Sequence, residues 1–280
     1  MQTGWVHTGG SWFFMNSSGR MQTGWVHTGG SWFFMNNSGR MQTGWVHTGG
    51  NWFFMNNSGR MQTGVVSINR AWHSFAPNGV WRGQLSTVNN VTTLLNADAL
   101  SYLTLVNRNF RLSSNFSPND LRTVNVRSSG NQQLRSTAAH ALEDMFRAAN
   151  RAGHTLIAAS GYRSYARQTA VHNNHIANHG LAQALRFSAR PGHSEHQLGL
   201  AMDVSTPGLG GALSSAFSST PEGRWVRNNA HHFGFIIRYP QNRESDTGFI
   251  YEPWHLRFVG VEAATQIFNR GLILEEFLGH

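Results

Sequence analysis

The first 83 residues carry one pattern of aromatic and polar positions that repeats every 20 residues. The unit MQTGWVHTGGSWFFMNSSGR returns twice with only Ser/Asn exchanges, and a fourth unit diverges, with Val65 in place of the first Trp. Each unit has two apolar runs, GWV and SWFFM, separated by Thr-Gly-Gly, which predicts a β-hairpin. Because one short hairpin cannot bury its own aromatic rings, we expect the hairpins to stack into an all-β solenoid, capped by the divergent fourth unit.

The pattern changes after residue 83. Residues 84–98 are rich in Asn, Thr and Ser, which predicts a linker, and residues 99–280 are predicted to form a second domain. In that domain the spacing of apolar positions predicts strands at residues 104–109 and 155–159 and helices at residues 137–152 and 164–185, the last of them broken near Gly180. These elements do not alternate in a regular βαβ order, so the expected fold class is α+β.

Composition narrows the chemistry that is open to the chain. There is no Cys, and all 22 basic residues are Arg. This excludes a thiol nucleophile, a thiolate metal site, a disulfide, a P-loop lysine and a Schiff base. The net charge of +9 favours anionic surroundings, but the arginines are scattered without interleaved aromatics, so we expect no nucleic-acid partner. No apolar run approaches the roughly 18 residues of a membrane span.

Three clusters in the second domain carry the groups that metal-assisted hydrolysis needs. They are SGYRS at residues 160–164, RPGHSEHQLGLAMDV at 190–204 and YEPWHLR at 251–257. A catalytic zinc without Cys needs three His or carboxylate ligands and one open position for water. His196, Asp203 and His255 could be these ligands, with a turn at Gly199 between the first two. Glu252 would then lie beside the metal as the base that activates its water.

Three further histidines, His172, His175 and His179, are spaced by three and four residues and share one face of a predicted helix. No carboxylate accompanies them. We therefore interpret them as a solvated helix face rather than as a metal site.

The patterns Ser-x-His-x-x-Gly-x-Ala-x-Asp (194–203) and Glu-Pro-Trp-His (252–255) resemble the signature of the D-alanyl-D-alanine carboxypeptidase family typified by VanY and the L,D-carboxypeptidase LdcB. The resemblance extends from about residue 100 to the C-terminus and implies the small α+β fold shared with Hedgehog-type domains. It implies a zinc ion held by His196, Asp203 and His255, with Glu252 as the base. It also implies that Arg163 binds the terminal carboxylate of the substrate, and that Gln168 and Ser194 contact the peptide.

The repeats resemble the choline-binding and glucan-binding repeats of Gram-positive surface proteins, through Gly4-Trp5, Trp12-Phe13-Phe14 and their equivalents. In choline-binding members, rings from adjacent hairpins enclose a quaternary ammonium group by cation–π attraction. The resemblance implies a choline or glucan ligand held by Trp5, Trp12, Trp25, Trp32, Trp45 and Trp52. This chain has Phe where that family usually has Tyr, which keeps the ring faces but removes a polar group. A purely structural role for the rings stays open.

These features together predict a secreted zinc metallo-carboxypeptidase that removes a C-terminal D-alanine from peptidoglycan stem peptides and is tethered to a Gram-positive-type cell wall. Two alternatives stay open. One is a lytic peptidoglycan endopeptidase with the same type of zinc site. The other is a surface-binding protein with an inactive zinc domain, which the intact Glu252 disfavours. Because Met1 occupies the first position of a repeat, as Met21 does, we expect an export signal upstream of this sequence.

Overall fold

The computed structural model describes residues 1–279, which form two compact units, one spanning Met1–Thr87 and one beginning at Val88. The division falls inside the segment 84–98 that the sequence predicts as a linker. Part of that segment forms two short strands, and a 3₁₀ turn at Asp98–Leu100 begins at its last residue. No helix of the described residues combines the length and the apolar character that crossing a membrane requires.

The first unit consists of successive antiparallel hairpins, as the repeats predict. Its strands are β1 (Gly4–Thr8), β2 (Ser11–Met15), β3 (Gly24–Thr28), β4 (Ser31–Met35), β5 (Gly44–Thr48), β6 (Asn51–Met55), β7 (Gly64–Ile68), β8 (Ala71–Phe75) and β9 (Trp81–Gln84). In β1 and β2 the register runs from Gly4 opposite Met15 to Thr8 opposite Ser11. The two-residue turn between them, Gly9-Gly10, has positive φ at both positions, which is the requirement of a type I′ hairpin turn.

Consecutive hairpins are joined by backbone and aromatic contacts. The backbone N–H of Met41 donates to the carbonyl of Trp12 at 2.8 Å, and Met61 repeats the bond one unit later, to Trp32. The ring of Trp5 packs edge-on against Phe33 of the next repeat, with 4.7 Å between ring centroids. Met35 is fully buried between successive repeats. The rings that one hairpin cannot bury are therefore partly covered by its neighbour.

The second unit contains short strands and seven helices among the described residues. The strands and helices are β10 (Ser86–Val88, at the boundary), β11 (Val91–Thr93), β12 (Phe110–Arg111), β13 (Leu121–Thr123), β14 (Gln133–Arg135), α1 (Ser136–Arg151), β15 (Ile157–Ser160), α2 (Tyr165–His179), α3 (Leu181–Phe187), β16 (Ala201–Ser205), α4 (Pro221–Asn229), β17 (Phe235–Tyr239), α5 (Glu244–Thr247), β18 (Glu252–Phe258), α6 (Val261–Arg270) and α7 (Leu274–Leu278). This mixture confirms the α+β class.

A four-stranded sheet in the order β15-β16-β18-β17, antiparallel throughout, is the frame of this unit. Helix α1 buries its apolar face, including Leu142 and Met145, at the positions that helical spacing predicts. The helix predicted at residues 164–185 is broken at Gly180, whose φ of 76° is outside the helical region and separates α2 from α3.

The prediction of a strand at residues 104–109 is wrong. Residues 104–106 have no regular secondary structure, residues 107–109 form a bend, and the nearest strand is β12. The side-chain Oδ1 of Asn107 accepts hydrogen bonds from the backbone N–H groups of Asn109 and Phe110, at 2.9 and 3.2 Å. This local turn competes with an extended conformation, since an Asn side chain offers the backbone an alternative partner.

Candidate metal centre

Two adjacent strands and the turn before them bring the three predicted ligand residues together. Asp203 in β16 lies directly opposite His255 in β18 in the antiparallel register. His196 lies on a 3₁₀ helix, Glu195–Leu198, and Gly199 ends that helix in the left-handed conformation, with φ of 67°. The turn expected at Gly199 is therefore present. One donor atom from each of the three side chains lies within 4.8 Å of the others, and all three residues are buried.

The two imidazoles face opposite carboxylate oxygens of Asp203, and a hydrogen bond to the backbone orients that of His196. Nδ1 of His196 is 2.7 Å from the carbonyl oxygen of Gly161, which leaves Nε2 facing Asp203 Oδ2 at 3.3 Å. Nδ1 of His255 is 3.0 Å from Asp203 Oδ1. An imidazole that donates one N–H to a carbonyl presents the lone pair of its other nitrogen as a metal ligand. The three side chains thus provide two nitrogens and one carboxylate, which is a donor set suited to zinc with one position left open.

The electrostatics of the centre favour a bound cation. Burial lowers the pKa of His196 to about 4, with a contribution from the nearby Arg163. Burial would also lower the pKa of His255, but its contacts with Asp203 and Glu195 outweigh burial and raise that pKa to about 9. The pKa of Asp203 is held well below its usual range, because His196 and His255 outweigh the effect of burial. The carboxylate of Asp203, which stabilises a proton on Nδ1 of His255, would also stabilise a metal ion in its place.

Glu252 lies at the start of β18, beside the three donors. Its Oε2 is 3.8 Å from Nδ1 of His255. Burial raises the pKa of Glu252 to about 8, while the charge of His255 opposes the shift and that of Asp203 adds to it. A carboxyl group with a pKa near neutrality, next to a site that can hold a metal, can accept and return a proton during a reaction.

A cavity of about 330 Å³ opens onto these groups and also contains the other predicted site residues. Arg163 donates from Nη1 to Ser160 Oγ at 3.1 Å, and its buried Nε has no partner among residues 1–279. Gln168 is anchored by a bond from Nε2 to the carbonyl of Ala189, at 2.7 Å. Ser194 is buried and lines the same cavity. Arg163 thus lines the cavity and retains one N–H donor without a partner in the described chain.

The prediction that His172, His175 and His179 form a solvated face of α2 is wrong for the first two of them. His172 is buried, with Nδ1 3.2 Å from the hydroxyl of Ser188. His175 lines the cavity and packs edge-on against Phe187, whereas His179 is exposed. Helix α3 covers this face of α2, because the break at Gly180 lets the chain fold back, and helical spacing alone does not reveal that.

The predicted tryptophans of the repeats form three equivalent pairs. Trp5 and Trp12 lie 6.3 Å apart at 88°, and the pairs Trp25–Trp32 and Trp45–Trp52 have nearly the same geometry. In each pair the second ring is 44% exposed. The first ring packs on the second Phe of the same hairpin, as Trp5 does on Phe14. Two perpendicular aromatic faces, one of them open to solvent, suit a cationic or sugar ligand.

In the second unit, a buried two-histidine, one-carboxylate centre stands beside a carboxyl group at the edge of an open cavity. This is the arrangement of metal-dependent hydrolases. Residues 131–261 match the VanY family, described as D-alanyl-D-alanine carboxypeptidase, and residues 3–21, 23–41 and 43–61 match the putative cell wall binding repeat. The chain belongs to the VanY D-alanyl-D-alanine carboxypeptidase family and carries repeats of the choline-binding type.

Three comparisons support this assignment. The putative carboxypeptidase YodJ of Bacillus subtilis is 42% identical over 208 residues, which are 72% of this chain and 76% of YodJ. The structure of the LdcB LD-carboxypeptidase is 43% identical and superposes with a TM-score of 0.65, covering 69% of this chain and 92% of that one. A mutant of the D,D-pentapeptidase VanY from a VanB-type resistance cassette, solved in complex with Zn(II), is 36% identical, with a TM-score of 0.56, covering 64% and 99%.

Proposed function

We propose that this protein is a zinc-dependent carboxypeptidase that removes a C-terminal D-alanine from peptidoglycan stem peptides while its repeats hold it at the cell wall. The observation that carries the proposal is the convergence of His196, Asp203 and His255 within 4.8 Å at a cavity that also contains Glu252 and Arg163. The Zn(II) complex of the VanY relative supports zinc as the metal. The peptidoglycan recognition described for the LdcB structure supports peptidoglycan peptides as the substrate.

The proposed roles follow from where each side chain lies. His196, Asp203 and His255 would hold the zinc ion, which when bound polarises the scissile carbonyl and acidifies water. Glu252, buried and 3.8 Å from His255, would take the proton of the attacking water and deliver it to the departing amine. Its raised pKa suits both the accepting and the donating step.

Arg163 would select a free C-terminus. Its buried Nε lacks a partner among the described residues, and a planar guanidinium can bind a carboxylate through two parallel hydrogen bonds. An endopeptidase meets a neutral amide at this place, and its Arg would be left buried without a counter-ion, which is unfavourable. Arg163 therefore favours a carboxypeptidase over a lytic endopeptidase. Gln168 and Ser194, on the same cavity, would contact the peptide.

The repeats would act as the tether. The perpendicular pairs Trp5–Trp12, Trp25–Trp32 and Trp45–Trp52 provide three similar aromatic sites along the array, suited to choline or to a glucan of the wall. Several weak sites on one chain bind a polymeric surface more tightly than any one of them does, because after the first contact the others bind intramolecularly. A secreted, wall-associated location follows from this role.

Digestion of defined muropeptides tests the proposal. Pentapeptide and tetrapeptide muropeptides are incubated separately with the zinc-loaded protein, and the products are weighed by mass spectrometry. Loss of one alanine from the pentapeptide indicates D,D-carboxypeptidase activity, and loss of one from the tetrapeptide indicates L,D activity. Cleavage inside the stem or at a cross-link would instead assign an endopeptidase. An absence of any product, with zinc bound, would favour a binding protein with an inactive site.

A further inference from the structure

A buried cluster of four charged side chains adjoins the metal centre, and the proposed mechanism does not use it. Glu195 and Glu275 flank Arg238, and Arg257 completes the cluster. Glu195 Oε1 accepts hydrogen bonds from Arg238 Nε at 2.8 Å and from Arg257 Nη1 at 2.6 Å. Glu275 binds the other side of Arg238 through two bonds, of 2.9 and 2.6 Å. The two positive and two negative charges balance, as burial away from water requires.

One oxygen of this cluster faces away from the arginines. Glu195 Oε2 is buried and forms no hydrogen bond with any described residue, and the same holds for Nε2 of His255. These two atoms are 3.6 Å apart. Approach by about 0.8 Å would give the N–H···O⁻ distance of a charge-assisted hydrogen bond, about 2.7–2.9 Å. The other ring nitrogen of His255, Nδ1, lies 3.0 Å from Asp203 Oδ1, on the side of the proposed zinc.

We infer that Glu195 is a positioning residue for His255. Its Oε2 accepts the Nε2–H proton, which fixes the tautomer in which Nδ1 is unprotonated and faces the metal. Histidine ligands of metals generally donate their second N–H in this way, and the partner fixes the ring orientation. This inference rests on the proposed zinc site but concerns a residue outside the ligand set.

The cluster explains why Glu195 can hold one orientation. Arg238 lies on β17 and Arg257 on β18, so both anchors belong to the sheet that carries His255. Arg257 and His255 are two residues apart on β18 and therefore point to the same side of the sheet. Arg257 is fixed in turn by the backbone carbonyls of Tyr102 and Thr104, at 2.9 and 2.7 Å. The carboxylate of Glu195 is thus held by two arginines of the same sheet that carries His255, the residue it orients.

Glu195→Gln tests the inference, with Glu275→Gln as the matched control. Each change removes one negative charge from the same cluster, so each is expected to lower thermal stability. Only the first changes the group that faces His255. In Glu195→Gln the arginines retain the amide oxygen, which turns the NH₂ group toward Nε2 of His255. That favours the wrong tautomer, with a proton on Nδ1 where the metal should bind.

The measurement is zinc affinity of the folded proteins, by competition with a chromogenic chelator. We expect a loss of about 10–100-fold for Glu195→Gln, the range typical of removing such a partner, and a change below about twofold for Glu275→Gln. An unchanged affinity in Glu195→Gln, or equal losses in both variants, would overturn the inference while leaving the zinc site intact. A wild-type protein that takes up no zinc would overturn both the inference and the proposed function.

A second measurement on the wild type does not depend on whether a variant folds. In ¹⁵N-histidine-labelled, zinc-loaded protein, the NMR signals of His255 should show a protonated Nε2 and a metal-bound Nδ1. The Nε2–H proton should resonate far downfield, because it is shared with a buried carboxylate. Metal bound through Nε2 of His255, or a proton exposed to rapid exchange with water, would contradict the role of Glu195.

Discussion

Replacing Arg163 is the sharpest test of the proposed substrate specificity. Arg163→Ala removes the guanidinium whose buried Nε has no partner in the described chain. The carboxylate of a bound substrate would then lie unpaired in the cavity that also holds the negative carboxylate of Asp203. Removing one partner of a buried, hydrogen-bonded charge pair costs about 2–4 kcal/mol. This corresponds to a loss of about 30- to 900-fold in kcat/KM on a peptide with a free C-terminus.

The assay compares free-acid and C-terminally amidated versions of one stem peptide. Arg163 also contributes to the charge around Glu252 and His196, so its loss could slow both substrates. The ratio of the two kcat/KM values isolates recognition of the carboxylate. In the wild type the acid should be strongly preferred, and in Arg163→Ala the preference should largely disappear. Arg163→Lys, which retains the charge but loses the planar fork, should lie between them.

Arg167→Ala is the matched control, because Arg167 lies four residues later, in the first turn of α2, and is exposed. It should leave the acid-to-amide ratio at the wild-type value. A wild type that cleaves acid and amide equally well would refute the carboxypeptidase assignment and support an endopeptidase. A preference for the acid that survives in Arg163→Ala would show that another group binds the carboxylate.

Three further predictions concern the metal, the base and the tether. His196→Ala combined with His255→Ala should abolish both zinc binding and activity, and stoichiometric zinc in the dialysed double variant, measured by elemental analysis, would refute the ligand assignment. Glu252→Gln should retain zinc while kcat falls by about 10²–10⁴-fold; near-normal turnover in a stopped assay would remove Glu252 from the mechanism. The full chain with Trp12→Ala and Trp32→Ala should sediment less with Gram-positive cell walls than the wild type does, and should show weaker quenching of Trp fluorescence by choline or glucan. Unchanged sedimentation would mean that these rings are not the anchor.

Much of the architecture could be predicted from local sequence patterns. The hairpins follow from apolar runs flanking Gly-Gly, because two residues with positive φ select the type I′ turn. Helix α1 follows from apolar positions at helical spacing, and the break between α2 and α3 follows from Gly180. The strand predicted at residues 104–109 failed because the side chain of Asn107 forms a turn with the neighbouring backbone. In each case the deciding interaction is between residues close in sequence.

The candidate metal centre was predictable to the level of residue identity. His196, Asp203 and His255 stand out because zinc chemistry without Cys needs such donors, and two short motifs contain them. The sequence did not determine which nitrogen of each ring faces inward. That depends on Gly161, which follows β15, and on Glu195, in the 3₁₀ helix before β16, and both are distant in sequence from the ring that they contact.

The tertiary structure alone decided the surroundings of the site. Glu195 lies inside a motif that the sequence singles out, yet its role depends on Arg238 and Arg257, which are 43 and 62 residues away along the chain. An Arg within an apolar strand is a signal of a buried ion pair, because an unpaired charge there would be strongly unfavourable, but it does not identify the partner. His172 is buried only because α3 folds back over α2 and brings Ser188 to it. Sequence patterns determine which side chains are available, and long-range packing determines which of them meet, since burial and charge pairing depend on residues distant in the chain.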